Sequence, residues 1–211
     1  MPSSTDILMR IKKDGAYLGV AGESQTSIDK NDELTKDFTP GKYVEIEDFD
    51  FGISLVDKDT SDDEETEQKG KDGKPKKKSK DGKFYKFTTS SADVGALYPV
   101  TIDEVSVSRQ MDSSSPVLLT SCFNTKSLQQ ICIVKRKVAG GASKLDNIPY
   151  LRLEFDNVLI TDLSWEVGDQ IMKEKLKFVC RKITMKYRPQ NPDGSPGVIV
   201  NAGPLTLVST T

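Results

Sequence analysis

The chain contains no histidine. That absence removes the commonest general base, the usual Ser and Cys triads, and most zinc and iron sites. Cysteine is sparse: Cys122, Cys132 and Cys180 are scattered through 211 residues. An odd, dispersed set suits a reducing compartment and packed thiols better than a disulfide framework. No run reaches the length of a transmembrane helix. The amino terminus lacks a long apolar core after a basic start, so it does not read as a secretory signal. The net charge is only −2, which argues against whole-protein attraction to nucleic acid or to an anionic membrane. There is no Walker A loop, G-x-S-x-G elbow, C-x-x-C or dinucleotide fingerprint. No enzyme activity, cofactor or metal is expected from these residues.

Hydrophobic residues are scarce, at 36%, and one stretch accounts for much of the deficit. Asp57–Lys83 holds none of them, so it cannot contribute to a core and is expected to be disordered when unbound. Its charges are blocked. Acids, including Asp62, Asp63, Glu64 and Glu65, cluster first. Lysines, including Lys76, Lys77 and Lys78, follow, and the segment carries nine of each. Three readings are open: a solvated insertion, self-association of the acidic half with a neighbour's lysine half, and nucleic-acid binding. The last is the weakest, because the segment has no arginine and its acids compete. A calcium loop fails as well, since Asp62 replaces the turn glycine and Gln68 the bidentate glutamate.

Most of the remainder reads as strand. Ile7 to Ile11 is apolar, Asp14-Gly15 is a hairpin turn, and Tyr17 to Val20 follows. Ser24 to Gly41 reads as a polar loop. Tyr43 to Val56 changes phase between Val44/Ile46 and Phe49/Phe51/Ile53/Leu55. The same shift separates Val100/Ile102 from Val105/Val107, and Leu151/Leu153/Phe155 from Val158/Ile160. A one-residue shift turns side chains to the other face, so each site predicts a bulge or sharp bend. Strands of this kind build a bent antiparallel β-barrel or two-sheet domain. Gln129 to Val138 is another strand. Tyr150–Val167 and Ile171–Tyr187 form a long antiparallel pair around Gly168-Asp169, and Val198 to Val208 is a last strand. One short helix, over about residues 115–126, interrupts this pattern. Ser115 is the expected N-cap, with Pro116 at the first helical position and Val117, Leu118, Leu119 and Cys122 behind it.

No chemistry is evident among the remaining polar residues. Asp156, Asp162 and Asp169 suit solvated strand positions better than acid/base pairs. Trp165 is expected to pack, and Cys122 and Cys180 lie among apolar neighbours. The whole chain, 1–211, reads as a single domain with the charged insertion inside it.

The run Ser106-Val-Ser-Arg-Gln-Met-Asp-Ser-Ser-Ser-Pro-Val-Leu-Leu resembles the signature of the haemolysin-coregulated protein (Hcp) family, the tube subunits of type VI secretion systems. Gly22-Glu23-Ser24, Ile46–Gly52, Leu153–Ser164 and Glu174–Phe178 resemble further family segments in the same order. The resemblance implies a bent barrel with one helix on its side, assembling into hexameric rings that stack into a tube. A contractile sheath and spike would be its partners, and effector cargo would occupy the lumen. The protein would be made in the cytoplasm and leave through the secretion apparatus without a signal peptide. Asp112, Ser115, Pro116, Leu118 and Leu119 would be scaffold. The Asp57–Lys83 insertion falls where family members carry a ring-contacting loop. A phage-like tail-tube protein and an effector-binding adaptor or chaperone ring are the alternatives.

Overall fold

Asp14 and Gly15 both adopt positive φ, 50° and 81°. This is the geometry of a two-residue hairpin loop, and it joins β1 (Ile7–Lys13) to β2 (Ala16–Tyr17). The computed structural model describes residues 7–18, 28–55, 100–137, 148–168 and 171–206. The expectations about Gly22–Ser24 and Asp57–Lys83 lie outside these residues.

The stretch that reads as one long strand from Tyr43 is three short ones: β3 (Val44–Glu45), β4 (Asp48–Asp50) and β5 (Ile53–Leu55). The phase change explains the break. The Ile46 N–H donates to the Ile7 carbonyl at 3.0 Å, and the next residue, Glu47, donates to the Ser108 carbonyl at 2.8 Å. The chain thus crosses from one layer to another between adjacent residues. β5 pairs with β6 (Val100–Ile102) in a separate compact unit, where the Asp103 N–H also bonds the Gly52 carbonyl.

The larger unit contains β7 (Val105–Gln110), α1 (Ser115–Phe123), β8 (Leu128–Lys137), β9 (Ile148–Val167), β10 (Met172–Val179), β11 (Lys182–Tyr187) and β12 (Val200–Thr206). Ten of its strands form one antiparallel sheet in the order β2-β1-β8-β9-β10-β7-β4. β3 is added beside β1, β11 beside β9, and β12 beside β11. Over the described residues the fold is mainly β with one short helix, as expected. The sheet is open, since no described strand joins β4 to β2 or β12.

β9 makes the sheet bend. Asn157 has φ 53°, which interrupts the alternation between Phe155 and Val158. Through Val158, β9 pairs with β8; from Leu159 onward it pairs with β10. The result is two layers that share β9. The first is β2/β3-β1-β8-β9-β11-β12, and the second is β9-β10-β7-β4. Met9, Ile11, Ile133, Leu153 and Phe155 of the first layer and Val105, Val107, Leu176 and Phe178 of the second are all buried. Phe155 and Phe178 meet edge-on with ring centroids 5.3 Å apart.

The loop before β3 departs from its polar reading. It is all turns over residues 30–37, yet Leu34, Thr35 and Phe38 are buried. Phe38 and Tyr43 pack on Leu8, Cys132 and Val134, so the first layer is covered on both faces. This is why Ile7–Ile11 and Ile131–Val134 are continuously buried rather than alternating. The helix also differs in detail. Its N-cap is Ser114, without a side-chain capping bond, so Ser115 and Pro116 are its first two residues. It ends at Phe123 with Asn124 as C-cap.

Candidate functional site

Val105 and Val107 set a parity on β7 that carries Arg109 into the core, where it is 0% exposed. A buried guanidinium needs partners for its donors, and the surrounding residues supply them. Its Nε donates to Glu174 Oε1 at 2.7 Å, Nη1 to Asp112 Oδ2 at 2.6 Å, and Nη2 to Ser115 Oγ at 3.1 Å. Glu174 lies on β10 and is itself buried, and its second oxygen accepts the Trp165 indole N–H at 3.1 Å. Asp112 Oδ1 accepts the Ser114 N–H at 2.7 Å, and Ser115 Oγ accepts the Asp112 N–H at 3.2 Å. One arginine therefore ties the end of β7, the turn, the start of α1, and the β9–β10 pair together. Every carboxylate in the node is held by donors, which suits scaffolding and leaves no free general base.

A second node fastens the loop over the first layer. Arg10 and Arg152 point outward from β1 and β9 beneath Leu34–Phe38. Asp37 receives Arg152 through two bonds, Nη1 to Oδ1 at 2.6 Å and Nη2 to Oδ2 at 2.8 Å. Arg10 ion-pairs with the same carboxylate and donates to the Asp37 carbonyl at 2.8 Å. Arg152 also donates to the Leu34 carbonyl at 2.8 Å and to Glu154 at 2.6 Å. The Arg10 guanidinium lies 4.4 Å from the Tyr17 ring centroid and 5.1 Å from that of Phe38, a cation–π arrangement. Burial alone would raise the Asp37 carboxyl, but the two arginines outweigh it and hold it at about 2.

Nothing in the described residues is poised for chemistry. Burial pushes the Cys132 and Cys180 thiols up to about 12, so neither supplies a thiolate near neutrality. Among the described residues no three His, Cys, Asp or Glu side chains gather to hold a metal. The depression beside Tyr150, Arg188 and Pro196 is too shallow to enclose a ligand.

The surface offers edges and faces instead. The outer face of the second layer is polar, with Lys173, Lys175 and Lys177 on β10 standing opposite Glu166, Ser164 and Asp162 on β9. Beyond them come Gln110, Ser108 and Ser106 on β7, then Asp48 and Asp50 on β4. β12 is exposed along its whole length and, among the described residues, pairs only with β11. On α1, Leu118 is fully buried, while Pro116, Leu119 and Phe123 are exposed. Leu118 therefore packs α1 inward and Leu119 stands on its outer face. Asp112 and Ser115 sit in the Arg109 node. Asp62–Glu65 and Lys76–Lys78 lie outside the described residues. Sequence reading passed over Arg10, Arg109 and Arg152. The available signal was their in-register placement beside buried apolar residues.

Known proteins match this arrangement. A family model described as "Type VI secretion system effector, Hcp" matches residues 85–187. Protein hcp1 of Pseudomonas aeruginosa is 26% identical over 98 residues, which is 46% of this chain and 58% of that protein. The chain thus aligns with little more than half the length of this curated relative. Among solved structures, a type six secretion system protein superposes with TM-score 0.55 at 15% identity, covering 93% of this chain and 92% of the other. The Hcp1 protein of the E. coli EAEC 042 pathovar, solved in mutant form, gives 0.54 at 15% identity over 94% and 99%. A type VI secretion system effector from Yersinia pestis gives 0.51 at 16% identity over 93% and 97%. The fold is therefore that of Hcp proteins. Family model, curated relative and fold all show similarity to Hcp proteins.

Proposed function

We propose that this chain is a structural subunit of a type VI secretion tube, working by self-assembly into rings that stack. The observation that carries the reading is the family match over residues 85–187, which takes in the Arg109 node, α1 and the strands β8 to β11. The open sheet supports it physically. Unpaired strand edges are a liability in a lone subunit and are removed when copies close a ring. The ring is hexameric in this reading, contacts a contractile sheath and spike, and carries effector cargo in its lumen. The subunit is made in the cytoplasm and leaves with the tube. It has no catalytic role.

Electron microscopy of the purified full chain tests the assembly directly. Rings of one uniform diameter are expected, and a field without rings at high protein concentration would overturn the reading. The insertion Asp57–Lys83, with Asp62–Glu65 and Lys76–Lys78 as its charged blocks, is proposed to link stacked rings. Deleting it should leave the thermal midpoint unchanged and weaken stacking most at low salt, because at high salt the parent's exposed charges are already screened. A deletion variant that fails to fold would contradict this assignment.

A further inference from the structure

The loop over the first layer is fastened differently from the strands around it. Among the described residues, every backbone–backbone hydrogen bond of residues 29–42 is local. The Asp32 N–H donates to the Asp29 carbonyl, Thr35 to Asp32, Phe38 to Thr35, and Lys42 to Thr39. The ladder resumes only at Val44 and Glu45, which pair with Met9 and Leu8 of β1. The loop is a strap laid on a sheet that it does not extend.

Side chains hold the strap down. Three of its carboxylates reach basic residues of the sheet. Asp32 ion-pairs with Arg188, Glu33 lies 3.6 Å from Lys186, and Asp37 takes both Arg10 and Arg152. Leu34 and Phe38 are fully buried beneath, with Phe38 and Tyr43 packed on Leu8, Cys132 and Val134. Closure also carries a cost. Arg10 Nε is buried under the strap with no hydrogen-bond partner among the described residues, and a donor held so gives up its bond to water. A segment tied by few backbone bonds belongs to the low-stability end of a fold, where parts open without global unfolding.

The floor is set by register. Across the sheet, Leu8, Val134, Arg152 and Lys186 form one row, and Arg10, Cys132 and Glu154 form the next. We propose that residues 29–42 form an ionic latch: the strap lifts as one unit from a sheet that stays folded, pivoting where β3 begins. Lifting uncovers an apolar floor of Leu8, Cys132 and Val134, with Arg10, Arg152 and Lys186 at its margin. The latch lies within one chain and operates whether or not rings form.

Cys132 reports the latch, because it is fully buried while the strap is down. The full chain is treated with iodoacetamide across a urea series that ends below the unfolding transition. Mass spectrometry reads alkylation at Cys132 apart from Cys122 and Cys180. Trp165, the single tryptophan, is bonded to Glu174 in the second layer and reports global unfolding by fluorescence. Cys132 should be alkylated faster than global unfolding allows, at a rate nearly independent of urea, because lifting the strap exposes little surface. Asp37→Asn should raise that rate about 5- to 30-fold, the factor that one or two kcal/mol represents. Should that variant fail to fold, Asp32→Asn at the other anchor replaces it, with a rise again expected. Alkylation that climbs with urea in step with Trp165, or none below the transition, would overturn the latch, since Cys132 would then open only with the whole fold. A rate in Asp37→Asn equal to the parent's would overturn its ionic fastening.

Discussion

The two layers share β9 yet treat their outer faces in opposite ways. The first layer hides its outer face under the 28–43 loop, and beneath that cover it buries two arginines and the Cys132 thiol, with the partly exposed Asp37 carboxylate as their hub. The second leaves its outer face wet, with alternating serine, lysine and acid along β7, β9 and β10. The difference teaches where stability and where contact reside. A covered polar network is costly to break, because removing one partner strands another in a low-dielectric site. A solvated face can change its charges at little cost, which leaves it free to serve contacts with other molecules.

Substitutions can break that contrast. The largest effect should come from Arg152→Ala, which leaves Asp37 and the Leu34 carbonyl without their donor. Loss of a buried ion-pair partner costs about 3–5 kcal/mol, which at this size lowers Tm by roughly 6–20 °C in calorimetry. Asp37→Asn keeps the shape and loses the charge. With Asp37 partly exposed, the cost should be on the order of 1–2 kcal/mol by urea unfolding. The same carboxylate makes the cover acid-sensitive. Its folded value of about 2 lies below the ordinary 3.8, so its stabilisation is present above the unfolded value and is lost as pH falls toward the folded one. The difference between parent and Asp37→Asn should therefore hold constant above about pH 4 and vanish near pH 2. The smallest effect should come from Lys175→Ser on the open face, within about 0.5 kcal/mol. A loss comparable to Arg152→Ala at that position would erase the contrast.

Several of these features were legible in the residues. Asp14-Gly15 announced its turn. The phase change between Phe155 and Val158 located the bend that Asn157 makes, and the shift between Ile46 and Phe49 located the crossing between layers. The reading of Tyr43–Val56 as one strand failed because alternation shows that a face changes, not that the chain also changes partners. The cover was hidden because Leu34 and Phe38 are lone apolar residues in a polar stretch, with no periodicity to mark them. The arginines were hidden because burial of a charge depends on partners as distant in sequence as Asp37 and Arg152. Ser115 was assigned as a cap from its type and position, whereas its hydroxyl instead serves Arg109, a partner visible only once the turn is folded.

Sedimentation velocity of the full chain across a wide concentration range tests the central claim most directly. The chain has a mass of 23.3 kDa. A structural ring subunit should give one discrete species at a fixed multiple of that mass, unchanged on dilution until the ring dissociates. A single 23.3 kDa species persisting to the highest concentration would contradict the account.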